Sequence, residues 1–220
     1  MTTPVFWTAA ALAVSDWAAT GFGWRKVRLL TKPATLLVLI AWFLQAGGPF
    51  WFSLGLIFSL AGDILLMLPA RFFLGGLAAF LLAHVAYIIG FGLLPLPLHW
   101  GALLALIAVI GAGYFSMHKI RKGVCSNPAS QKMLAPIMGY SLVISLMLLA
   151  ALLTLMRPEW PLHAALFASA GAALFFISDS VLAYSRFCGP LYAGRLIVMV
   201  TYHLAQFSIA LAAVMAFPAA

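Results

Sequence analysis

Charge is what this sequence has least of. Of 220 residues only 7% are Asp, Glu, Lys or Arg, and the acids number four, against about 25% charged residues in an ordinary soluble domain. With 65% hydrophobic residues and a mean hydropathy of +1.12, a water-exposed surface cannot be built, and a soluble globular domain is excluded. Cysteine is nearly absent: Cys125 and Cys188 fall in predicted basic loops without metal-ligand spacing, so free thiols are expected rather than a disulfide framework. No Lys or Arg precedes Arg25, and Asp16 sits near the middle of residues 5–24. That stretch therefore lacks the basic start of a cleaved signal peptide and reads as a retained first helix. Segments of about ten residues alternating in polarity, the mark of a membrane β-barrel, are missing. So are the GxSxG elbow, the HExxH pair and the Walker loop.

Long apolar runs are what remains. Residues 72–98, 133–156 and 196–220 contain no Asp, Glu, Lys or Arg, and crossing a bilayer takes roughly 20 such residues. In lipid a helix satisfies its own backbone hydrogen bonds, so the expected fold is all-α, a polytopic membrane protein of eight transmembrane helices. Pro, Gly and basic punctuation places them at about 5–24, 33–46, 50–68, 73–94, 98–117, 134–156, 162–185 and 190–217, in a single integral membrane domain over 1–220. The second, about fourteen residues long, reads as tilted or partly interfacial. Trp51, Trp100 and Trp160 fall at predicted interfaces as aromatic-belt anchors.

The net charge of +8 is distributed along the chain in a way that points to topology and lipid contact rather than to nucleic acid. The odd-numbered connections carry Arg25, Lys26, Arg28, Lys32, Arg71, Lys119, Arg121, Lys122, Lys132, Arg186 and Arg195, whereas the even-numbered ones carry only Arg157. The positive-inside rule then puts the odd connections in the cytoplasm and both termini on the opposite side. An internal echo adds to the pattern. Phe58-Ser-Leu-Ala-Gly-Asp63 resembles Phe175-Phe-Ile-Ser-Asp179, an arginine follows each (Arg71, Arg186), and the next helix carries His84 or His203. It reads as two parallel four-helix halves, although chance in a low-complexity apolar sequence explains such an echo as readily.

A charged side chain inside a bilayer costs about 2.5–3.5 kcal/mol on insertion scales, which makes an intramembrane acid a functional candidate by default. Asp16, Asp63 and Asp179 qualify. At 1.5 Å per residue, Asp63 and Asp179 both lie about 8–9 Å from the cytoplasmic ends of their helices. His84 and His203 lie deeper, with Tyr87 and Gln206 each three residues on and sharing their faces. Ser59 precedes Asp63 by one turn, and Ser178 and Ser180 flank Asp179. One polar pocket opening toward the cytoplasmic leaflet unites these groups, with Lys32, Arg71 and Arg186 near its mouth to hold a phosphate. Against this stands a structural reading, in which Asp63 pairs with Lys32 only to join helices and the histidines are satisfied packing residues. No cofactor is expected. A metal is the minority reading, because the two His and two Asp lack i, i+4 ligand spacing.

Four stretches carry a family resemblance: Ser59-Leu-Ala-Gly-Asp63, Phe80-Leu-Leu-Ala-His84-Val-Ala-Tyr87, Phe175-Phe-Ile-Ser-Asp179-Ser-Val-Leu-Ala and Thr201-Tyr202-His203-Leu-Ala-Gln206. With Lys32-Pro33 at the second helix, they resemble the bacterial YhhN and eukaryotic TMEM86 membrane protein family over almost the whole chain. The resemblance implies a lysoplasmalogenase-like ether hydrolase in a cell membrane, such as a bacterial inner membrane. Its substrate would be a lysophospholipid with a vinyl ether chain, cleaved to a fatty aldehyde and glycerophosphoethanolamine or glycerophosphocholine.

Such a reaction starts with a proton delivered to the alkenyl carbon distal to oxygen, and the resulting oxocarbenium ion is captured by water. Asp63 and Asp179 are the expected catalytic pair, one as acid and the other as ion, a division of labour analogous to that of glycosidases. His84 and His203 would tune protonation or orient water, and Ser59, Tyr87, Ser180, Tyr202 and Gln206 would support the substrate. The competing readings are a small proton-coupled transporter and a lipid-binding membrane protein that use the same buried acids. The short, nearly uncharged outer loops favour a one-sided pocket. Oligomeric state is open.

Overall fold

The computed structural model describes residues 3–92 and 94–218. Among them are eight α-helices and no strand: α1 (Pro4–Gly21), α2 (Arg25–Gln45), α3 (Phe50–Met67), α4 (Phe73–Phe91), α5 (Trp100–Ser126), α6 (Leu134–Leu153), α7 (Leu162–Phe187) and α8 (Gly194–Ala216). Seven of them, α2 to α8, are long and apolar enough to cross a membrane, and the chain is a multi-pass membrane protein. The remaining helix, α1, has 18 residues like α3 but is diluted by Thr8, Ser15, Asp16 and Thr20. It packs on α2 and α8.

Three boundaries differ most from the sequence reading. The second helix opens at Arg25, not at Pro33, and has 21 residues rather than a short tilted stretch. Proline has no N–H to donate, so Pro33 leaves the carbonyl of Leu29 without its helical donor, a local defect that usually costs about 3 kcal/mol. The extension nevertheless survives because it carries Thr31 and Lys32 to partners on other helices. The fifth helix runs on to Ser126: the Lys119, Arg121 and Lys122 read as loop lie in its later turns, where cations suit the helix dipole and long stems keep their charges in water. Cys125 thus belongs to a helix, and both thiols are free. The eighth helix starts at Gly194, so Arg195 belongs to its first turn.

Consecutive helices pack side by side except α4 and α5, α4 lying against α6 instead; α7 with α8 and α3 with α4 pack most extensively, while α8 also touches α1, α2 and α3. The even-numbered helices begin at the end where the odd-numbered ones finish, so one end gathers all Lys and Arg except Arg157. Close packing in lipid depends on small residues at the crossings. Gly171 on α7 is such a residue: a Cβ there would stand 2.9 Å from Ile209 and 3.0 Å from the backbone oxygen of Ala205 on α8. At the centre, the buried rings of Phe80, Phe175 and Tyr202 meet edge to face at 5.4–6.2 Å between centroids, joining α4, α7 and α8. Overpacking a tight crossing costs about 1–3 kcal/mol. Gly171→Val is therefore expected to lower the thermal unfolding midpoint of the detergent-purified protein. Gly111→Val on α5, where an added Cβ meets nothing within 4 Å, is expected to leave it close to wild type.

Candidate active site

A cavity of about 560 Å³ lies at the basic end, where α3 and α7 finish and α2 and α8 begin. Asp63, Asp179, Ser178 and Tyr202 supply its polar inner wall, Leu66, Phe80, Leu182 and Met199 its apolar wall, and Arg25, Arg28 and Arg195 its rim. Asp63 is 1% exposed and is held from two sides: Lys32 Nζ lies 2.9 Å from Oδ1, and the Tyr202 hydroxyl donates to Oδ2 at 2.8 Å. A buried carboxylate with a buried ammonium and a phenol on separate oxygens is a compensated ion, the only condition under which burial of charge is tolerated. The long α2 makes this possible, since a helix opening at Pro33 would leave Lys32 outside it.

Asp179 is set differently. The Tyr140 hydroxyl of α6 donates to its Oδ2, and His84 Nε2 stands 3.9 Å from the same oxygen, beyond hydrogen-bond reach. Among the described residues no Lys or Arg forms an ion pair with it, and its side chain is 12% exposed, toward the cavity. His84 is buried behind it, edge-on to Phe175 at 4.6 Å and Tyr140 at 5.4 Å between centroids. One acid is thus locked to a cation and a phenol, and the other faces uncharged groups and open volume. Two carboxyl groups in such unlike surroundings can divide the roles of ion and proton donor.

The remaining sequence candidates are sorted by the fold. Tyr87 donates to Gln206 Oε1 at 2.7 Å with Ser59 beside it, a buried clasp between α4 and α8 that does not line the cavity. His203 is turned toward α1: Trp17 Nε1 donates to its Nδ1 at 3.0 Å, which leaves Nε2 to carry the ring proton. Asp16 accepts from Thr31 at 2.9 Å, also outside the cavity. Ser180 points away from Asp179, accepting from Ser116 on α5 at 3.0 Å; its neighbour Ser178 lines the cavity instead. Arg71 and Arg186 line a separate groove with Phe73 and Ser130, and Arg186 also lines a small apolar cavity that it shares with Phe80, Tyr140 and Asp179. Their guanidinium groups lie over the rings of Phe72 and Phe73. The rim of the larger cavity carries Arg25, Arg28 and Arg195, counted in the sequence only as topology signals. Tyr140 and Trp17 went unnoticed there, although the Tyr140-Ser141 pair in the early turns of the mostly apolar α6 was a readable signal. Among the described residues no three His, Cys, Asp or Glu side chains cluster as metal ligands.

A family model described as the YhhN family matches residues 27–213. The chain belongs to the YhhN family. Every residue placed above around Asp63 and Asp179 lies within that match, whereas Arg25 and α1, with Asp16 and Trp17, precede it. This YhhN-family chain is 33% identical over 192 residues to lysoplasmalogenase TMEM86B of Mus musculus, covering 86% of the chain and 76% of that protein. To lysoplasmalogenase TMEM86A of Homo sapiens it is 33% identical over 162 residues, 73% of the chain and 63% of that protein. The uncharacterized membrane protein YhhN of Escherichia coli O157:H7 is 30% identical over 222 residues, covering 93% of the chain and 97% of its own length. No solved structure matches.

Removing one partner of a buried pair strands the other's charge and costs about 3–5 kcal/mol, far more than removing both. Lys32→Met is therefore expected to destabilise the protein strongly in detergent thermal unfolding. Lys32→Met with Asp63→Asn is expected to recover a large part of that loss.

Proposed function

We propose that this chain is a lysoplasmalogenase, an ether hydrolase that cleaves the vinyl ether bond of lysoplasmalogens to a fatty aldehyde and a glycerophospho-base. The observation that carries the reading is the pair of unlike carboxyl groups, Asp63 and Asp179, on one cavity under an arginine rim. The TMEM86 relatives, at 31–33% identity, support the substrate. The reaction needs a placed acid and a stabiliser for an oxocarbenium ion, in a site reached by a single-chain lipid.

Asp179 is the proton donor in this proposal. Its proton goes to the alkenyl carbon distal to oxygen, and the positive charge is shared between the adjacent carbon and the ether oxygen. Asp63, kept ionised by Lys32 and Tyr202, stabilises that cation. Water adds to the cationic carbon and returns a proton to the Asp179 carboxylate. The hemiacetal then breaks its carbon–oxygen bond, releasing aldehyde and leaving the proton on the glycerol oxygen. Tyr140 and His84 position Asp179. Tyr87, Gln206, Ser59 and His203 act as scaffold.

We further propose that α1 also crosses, giving eight spans, and that the basic end faces the cytoplasm with both termini opposite, in a cell membrane. The single basic end supports this orientation. That α3 and α7 bring their acids to one cavity supports two parallel halves. The lining is confined to one end of the bundle, which favours a pocket over a transport path.

A positioned general acid contributes about 10²–10⁴-fold. In a detergent assay of aldehyde release from a lysoplasmalogen, Asp179→Asn and Asp63→Asn are each expected to lose at least about a hundredfold in kcat. Turnover that survives both substitutions would refute the mechanism. A folded wild-type protein that releases no aldehyde would refute the substrate.

A further inference from the structure

Asp179 borders two separate volumes. One is the cavity it shares with Asp63; the other is a narrower slot of about 50 Å³ between the start of α4, the start of α6 and the end of α7. The two differ in character. Lys32, Asp63 and Arg28 stand in the walls of the first. The second is walled by Phe73, Leu77, Ile137 and Phe187, its Tyr140 hydroxyl is already given to Asp179, and its Arg186 guanidinium lies over the ring of Phe73. Asp63 does not line the slot. Leu77 and Phe187 are only half-buried, which brings the slot to the outside of the bundle, where the chains of the bilayer lie. Leu66, Phe80 and Leu182 line both volumes beside Asp179, so one layer of side chains divides them.

We infer that the slot is the subsite for the aliphatic chain of the substrate, with the glycerol and headgroup in the larger cavity and the bond to be cleaved lying across Asp179. This rests on the hydrolase reading above and deepens it. A vinyl ether joins an apolar chain to a polar glycerol, and the carbon that takes the proton is on the chain side of that joint. A proton donor must be held within reach of that carbon, so it must border the chain subsite. Asp179 does, and Asp63 does not. The carbon that becomes cationic is one bond nearer the glycerol, on the side of Asp63. Leu66 and Leu182, both half-buried, turn between staggered rotamers to let the chain pass. The products divide along the same line: the aldehyde leaves through the slot into lipid, and the glycerophospho-base leaves through the larger cavity into water.

Two measurements test the assignment, and the first needs no turnover. A saturated 1-alkyl glycerophosphocholine with a diazirine close to the ether oxygen has no vinyl ether to hydrolyse. Photolysed on the full chain in nanodiscs and mapped by peptide mass spectrometry, it is expected to label Leu77 and Ile137, which line only the slot. Labelling of Leu29 and Met199, which line only the larger cavity, would overturn the inference. Labelling confined to exposed Leu82 on the outer face of α4 would overturn it too.

The second measurement compares two substrates, a long-chain lysoplasmalogen and an analogue whose ether carries only a bare vinyl group and has nothing to place in the slot. Overfilling an apolar pocket by a methylene or two changes kcat/KM by about tenfold or more. Leu77→Phe, and Ala183→Leu from the α7 wall, are each expected to lower kcat/KM about tenfold for the long chain, mainly through KM, and to leave the vinyl analogue unchanged. Leu82→Phe is expected to leave both unchanged. Equal loss on the two substrates with both slot variants, or loss on neither, would overturn the inference. If the label falls in the slot but the wild-type chain releases no aldehyde, the chain site stands and the hydrolase reading falls. If aldehyde is released while the label falls on Leu29 and Met199, the hydrolase reading stands and the chain site falls.

Discussion

An ion in hydrocarbon must carry its own counter-ion, and the Lys32–Asp63 pair is where this protein meets that requirement. At 2.9 Å, with both side chains at most 5% exposed, the pair ties the start of α2 to the end of α3. Tyr202 adds a tether to α8 through the second carboxylate oxygen. Three helices are fixed at one depth by a single carboxylate. Because the compensation is complete on that carboxylate, the neighbouring Asp179 is the group in the cavity without a cation of its own. The asymmetry between the two acids is a consequence of where one lysine goes.

The same requirement explains the course of α2. A proline in mid-helix removes a hydrogen bond, and Pro33 makes the stretch before it look like a loop. Continuing the helix back to Arg25 places Lys32 against Asp63, Thr31 against Asp16, and Arg25 and Arg28 on the cavity rim. The aromatic cluster of Phe80, Phe175 and Tyr202 and the tight crossing at Gly171 hold α4, α7 and α8 in register. The acid on α7 is thereby kept beside the acid on α3.

Which features were readable in advance follows from the range over which each is encoded. Hydrophobic runs are local, so the long apolar helices were evident, and depth along a helix is a matter of counting, so Asp63 and Asp179 were expected at one level. Azimuth is different. Ser178 and Ser180 are two residues apart on α7 and therefore face different neighbours, and only the packing of α5 and α8 decides which one reaches the cavity. Arg71 follows Asp63 closely in sequence, yet the turn after Met67 carries it to another groove. Arg195 comes much later than Asp63 but lies on the rim.

From the sequence alone came the solvent of this protein, because scarcity of charge admits no other, and the identities of the acids that must be buried if the helices cross. Tertiary structure decided their company: lysine and tyrosine for Asp63, tyrosine and histidine for Asp179, tryptophan for His203. Those partners come from helices as much as 186 residues apart in the chain. Electrostatic interaction is steep in distance and strong where water is excluded, so the character of each buried group is set by neighbours that no local pattern in the sequence specifies.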